Sequence, residues 1–91
     1  PDLRGIVDDW VIKGNVARAS VEVERNKYQE MAFILNADTK IGKGSAADRK
    51  KEKDEREIME GSIFDVRDHT FVEIYYSSPG EREVDTLVYW Q

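Results

Sequence analysis

In "VARASVEVER", from Val16 to Arg25, Ala17, Ala19, Val21 and Val23 alternate with Arg18, Ser20, Glu22 and Glu24. A period of two places every apolar side chain on one face of an extended strand and every polar one on the other. The same spacing on a helix would scatter the apolar groups around the axis, so the segment is read as a strand with one wet face.

The neighbouring segments extend the sheet. "IVDDWVIK", Ile6 to Lys13, is rich in β-branched and aromatic residues and stops at Gly14-Asn15, which suits the two-residue turn of a hairpin. "KYQEMAFILNA" satisfies both periods. Tyr28, Met31, Ala32 and Leu35 fall at helical spacing, whereas Met31, Phe33 and Leu35 alternate. A strand is expected, since the segment follows a short "RNK" turn and runs into the loop-like "NADTKIGKG"; a helix, and with it an α+β fold, is the alternative. After Gly61, "SIFDVR" reads as a short strand, Asp68-His69 as a turn, and "TFVEIYYSS" as a longer strand with Val72, Ile74 and Tyr76 on one face. "PGERE" turns the chain into "VDTLVYW". This C-terminal hairpin also carries Phe71, Tyr75, Leu87 and Tyr89, so both faces are apolar in places. It calls for a covering layer, barrel curvature or a partner chain.

Between the two halves lie ten consecutive charged residues, Asp48 to Glu57, five acids and five bases. Ser45 followed by Asp48 resembles a capping box and Gly61 suits a C-cap, which predicts a helix over 46–60. Lys50/Asp54, Lys51/Glu55, Glu52/Arg56 and Lys53/Glu57 would pair at i+4, each worth about 0.2 to 0.5 kcal/mol. Only Ala46, Ala47, Ile58 and Met59 could reach a core, so such a helix would be polar all round its middle and would project into solvent or fray into a flexible loop.

Charge is unevenly spread along the 91 residues, whose net charge is -5. Residues 1–39 hold five bases and seven acids, residues 40–53 six and two, and residues 54–91 three and ten. An acidic body therefore carries one basic island, and it repels nucleic acid at long range unless that island is presented on one face. A single domain spanning 1–91 is expected from the length. The lack of cysteine excludes disulfides, thiolate zinc sites and a cysteine nucleophile. No apolar run approaches the roughly 20 residues of a membrane span, and "PDLRGIVDDW" lacks a signal-peptide layout. A cytoplasmic protein without a membrane partner is expected.

Few residues suggest chemistry. His69, the one histidine, lies in the turn "RDHTF", and nothing in the sequence aligns it with Ser45, Ser62 or Ser77. "NADTKIGKGSAAD" fails as a calcium loop, with Lys40, Ile41 and Ala47 where an oxygen ligand, glycine and glutamate belong. It fails as a phosphate loop too, because Ala37 and Gly44 replace the first glycine and the metal-binding hydroxyl. Asp8-Asp9, Glu81, Glu83 and Asp85 read as solvated carboxylates. No catalytic residue, metal or cofactor is expected.

One constellation points to binding. Lys40, Lys43, Arg49, Lys50, Lys51 and Lys53 form the basic island, and Trp10, Tyr75 and Tyr89, with Tyr28, Phe71 and Tyr76, lie on candidate strands where rings could stack on bases. The order of strands around one insertion is that of an OB-fold. The fragments "VIKGNV" and "MAFILNAD" resemble bacterial single-stranded-DNA-binding proteins over well under half of the chain.

The sequence thus predicts a mainly β fold, a small antiparallel sheet of five or six strands or an OB-like barrel, with a charged helix or flexible loop inserted at 40–60. The function expected first is a non-enzymatic binding or interaction module, such as a subunit of a larger assembly, that meets a protein partner or a second copy of itself. An OB-like single-stranded nucleic-acid binder is the alternative, and an acidic nucleic-acid mimic or inhibitor of a basic protein is a further one.

Overall fold

The computed structural model describes residues 1–91. Strands form where β-branched and aromatic residues alternate with polar ones: β1 (Leu3–Lys13), β2 (Val16–Glu24), β3 (Lys27–Ile34), β6 (Thr70–Tyr76) and β7 (Val84–Trp90). Two further strands, β4 (Lys40–Gly44) and β5 (Met59–Glu60), lie within the region expected to be helix or loop. Gly14 and Gly80 adopt positive φ in their turns, at 58° and 81°. The ambiguous "KYQEMAFILNA" is a strand. "SIFDVR" is not: Ile63–Asp65 form a short 3₁₀ turn, started by Ser62, whose Oγ accepts the Phe64 amide.

The fold is mainly β, as the alternation implies, but it is one seven-stranded mixed sheet in the order β3-β2-β1-β6-β7-β4-β5. The parallel partner is β4, which runs alongside β7 with Ile41 opposite Leu87 and Gly44 opposite Trp90. The sheet curls without closing into a barrel. Its curl brings the end of β3 to the start of β7, where the Ile34 amide donates to the Arg82 carbonyl at 2.9 Å. Asn36 and Glu83 bond beside it, and the Thr39 hydroxyl donates to the Val84 carbonyl. That proximity lets the short link over 35–39 carry the chain from one side of the sheet to the other.

Inside the curl, Val7, Ala17, Val21, Phe33, Val72, Ile74 and Leu87 form the core. Val66 seals it from the segment that follows β5. Tyr89 is also fully buried there; its hydroxyl accepts from the Ser62 amide and donates to Asp65 Oδ2, both at 3.1 Å. Burial pushes this phenol above its ordinary value near 10, and Asp65 adds to the rise. A raised acid pKa means the folded state retains a proton that the unfolded chain loses. The stabilisation is therefore complete below about pH 10 and is lost as pH climbs beyond it. Urea titrations should show the unfolding midpoint falling between about pH 8 and about pH 11, with a smaller fall in Tyr89→Phe, once the exposed tyrosines common to both proteins are accounted for.

The helix expected over 46–60 does not form. The chain makes two three-residue 3₁₀ turns instead, Asp48–Lys50 and Lys53–Glu55. The reason is geometric: Met59 must return to lie opposite Lys43, whereas a straight helix of that length would carry it about 22 Å away. None of the four i+4 pairs appears. Lys51 bridges Asp48 at 2.8 Å, holding that carboxyl below its usual range.

Nor is the segment a free solvated element. It crosses the outer face of β6 and β7 as a strap and supplies the covering layer that the two-faced hairpin calls for. Gly42 makes this approach feasible, since a Cβ there would stand 2.6 Å from Ile58 Cγ2, while Gly44 leaves room for the ring of its β7 partner Trp90, which a Cβ would meet at 2.2 Å.

Candidate anion-binding trough

Directly paired residues of neighbouring strands share a face, so the ladders define which side chains meet on the outer side. One row runs Tyr28, Glu22, Ile6, Phe71, Trp90, Gly44 across β3, β2, β1, β6, β7 and β4. The adjoining row sets Arg4 opposite Glu73, then Val88 and Gly42. On this floor the strap lays two arginines. The Arg49 guanidinium stacks 3.9 Å above the Phe71 ring and that of Arg56 lies 5.2 Å from Trp90.

Arg56 is fully committed. Its Nη1 meets Glu73 Oε1 at 3.3 Å, its Nη2 donates to the Arg49 carbonyl at 2.7 Å and its Nε to the Lys51 carbonyl at 3.3 Å. Glu73 is 4% exposed and accepts a second bond, at 2.7 Å, from Trp90 Nε1. A buried carboxylate is thus neutralised and hydrogen-bonded at once, as burial of a charge requires.

Arg4, Arg49 and Lys50 form no ion pair. With Arg56, Phe71 and Glu73 they line a hollow of about 250 Å³ whose bases exceed its acids by three. A second hollow of about 260 Å³ shares Arg4, Arg49 and Phe71, then continues past Ile6 to Glu22 and Arg25. The two adjoin at Arg4, Arg49 and Phe71 and are together called the trough, strongly basic at one end and mixed at the other. Three unpaired cations this close repel one another in the empty trough. Two guanidinium forks and an ammonium converging there suit an oxyanion, which would relieve that repulsion.

Of the residues singled out from sequence, the fold brings Arg49 and Lys50 into the trough. Lys51 is held by Asp48, and Lys53 is exposed in the second strap turn. Lys40 lines a separate groove of about 740 Å³ beside β5, where Ile58 and Met59 are 50% and 71% exposed. Lys43 projects from β4. Trp10 packs inward, its ring 6.5 Å from Phe33; Tyr75 is half-buried; Tyr89 has no exposed surface. His69 sits at a positive-φ turn with Nδ1 2.9 Å from Asp8 Oδ1. No three histidine or carboxylate side chains converge to hold a metal.

Arg4 and Glu22 escaped the sequence reading as ligand contacts. A signal for Arg4 was present: "LRGIV" continues the alternation of β1 backwards, which puts Arg4 on the face of Ile6. Comparison of the chain with protein families, curated proteins and solved structures gives no match. No helix is long and apolar enough to cross a membrane.

Proposed function

We propose that this chain is a small non-enzymatic binding module that holds an anionic partner, an acidic protein segment or single-stranded nucleic acid, in the trough between the strap and β1. The observation that carries this reading is the convergence of Arg4, Arg49 and Lys50, unpaired, on a protein whose net charge is -5. Neighbouring cations repel one another, and a bound anion would relieve that repulsion. The Phe71 ring under its guanidinium and the Arg56 side chain bonded to its carbonyl hold Arg49 in place, so part of the ordering entropy is already spent before the ligand arrives.

Titration with a single-stranded oligothymidylate and with polyglutamate at low salt, followed by tryptophan fluorescence, tests it. Binding of at least one polyanion should be reversed by salt. Reversing Arg4 and Lys50 together to Glu should weaken it by at least about tenfold and lower the salt slope for the oligonucleotide by about 2. Reversing Lys40 and Lys43, outside the trough, should leave most of the affinity. Equal loss in both double variants, or none in the first, overturns the proposal.

A further inference from the structure

The trough has two chemically different ends, and a generic polyanion would use only one of them. At the strap end, Arg4, Arg49 and Lys50 offer more positive charge than one carboxylate neutralises, whereas a phosphate monoester brings a charge of about -1.5 to -2 and three acceptor oxygens. Towards β2 the wall changes. Ile6, 37% exposed, provides an apolar surface, and Glu22 stands cross-strand from it without an ion pair, sharing its carboxylate with the Tyr28 hydroxyl on β3, which leaves it further acceptor positions. Glu24 beyond it is already bridged by Lys27 at 3.1 Å. Towards β2 Glu22 is balanced by the unpaired Arg25, so that end gives the rest of an acidic segment no net attraction. A flat heterocycle with an exocyclic amino group fits better, because it lies on apolar surface and donates a hydrogen bond to a carboxylate.

Resting on the binding reading above, we propose that the ligand is a nucleoside monophosphate unit carrying an amino-substituted base. Its phosphate sits among Arg4, Arg49 and Lys50, and its base lies over Ile6 with the amino group donating to Glu22. The two hollows together fall within the roughly 300 to 1,000 Å³ of small-ligand sites. Phe71 takes no base, since Arg49 already covers its face. The monoester can belong to a free nucleotide or to the phosphorylated end of a strand, and the test separates the two.

The experiment is isothermal calorimetry at low salt with adenosine 5′-monophosphate, adenosine and inorganic phosphate, on the wild-type chain, Lys50→Ala and Glu22→Gln. The monophosphate should bind at least about tenfold more tightly than either part alone. Lys50→Ala should weaken the monophosphate and phosphate alike, and Glu22→Gln should weaken the monophosphate by about tenfold while leaving phosphate unchanged. Competition by a short 5′-phosphorylated oligodeoxyadenylate that binds more tightly than the monophosphate assigns the unit to a strand; competition by the monophosphate alone assigns it to the free nucleotide. If phosphate binds as tightly as the monophosphate, or Glu22→Gln changes neither, the nucleoside assignment is wrong while the anion-binding reading stands. If no phosphate compound binds but polyglutamate does, the assignment is again wrong. If none of these anions binds, both fall.

Discussion

Replacing Arg56 by alanine is expected to lower the unfolding free energy by about 2 to 4 kcal/mol, out of the roughly 5 to 14 kcal/mol that a chain of this size has. Arg56 ties the strap to itself through the Arg49 and Lys51 carbonyls and is the ion-pair partner of Glu73. Its loss strands a carboxylate that is 4% exposed, with Trp90 Nε1 as the remaining donor. The double variant Arg56→Ala/Glu73→Gln separates charge from packing. A neutral amide keeps an oxygen for the indole N–H and needs no counter-ion, so the double variant should recover a substantial part of the loss in urea unfolding. If it is no more stable than Arg56→Ala, the arginine acts through its contacts with the strap and Trp90, and the charge argument is wrong.

The second large effect belongs to β3. Phe33→Ala should cost about 3 to 5 kcal/mol, the range for truncating a fully buried aromatic. β3 is an edge strand, paired along its length only with β2, so its hold on the core depends on the inward side chains Met31 and Phe33. The Trp10 ring, stacked on Phe33, should lose its apolar neighbour, shifting the emission of this half-buried indole to the red. In the same strand Tyr28→Ala, at a 57% exposed position, should move stability by no more than about 0.5 kcal/mol. Similar losses in the two variants would show that β3 is not held by its buried face.

Five strands are readable from residues, β2, β6 and β7 by their patterns and turns, β1 by its β-branched and aromatic content and β3 by the turns that flank it. Val72, Ile74 and Tyr76 need no knowledge of distant chain to declare a face, and Ala17 to Val23 need none either. β4 is different. "KIGKG" has two glycines and no alternation, and their use appears only once Ile58 and the Trp90 ring lie over them. Its parallel pairing with β7 depends on the curl that brings β3 to Arg82, which no local spacing encodes. The charged run misleads for a related reason. Its i+4 partners are visible in sequence but worth little, whereas Arg49 and Arg56 are claimed by Phe71, Glu73 and Trp90, residues on other strands. The trough combines both cases. Arg49 and Lys50 are conspicuous in sequence, while Arg4 and Glu22 join them only through the registers of β1 with β6 and of β1 with β2.

The strand order has a consequence for how the chain comes off the ribosome. β1, β2 and β3 form a contiguous meander, yet β1 lies in the interior of the finished sheet, with Leu3 opposite Ile74 and Val7 opposite Thr70. During synthesis the meander is therefore complete while one long edge of β1, with Ile6 and Val7 on it, still lacks its neighbour. β4 likewise waits for β7. The nascent protein must carry an open, partly apolar strand edge until its last hairpin emerges, and in that interval intermolecular pairing competes with folding.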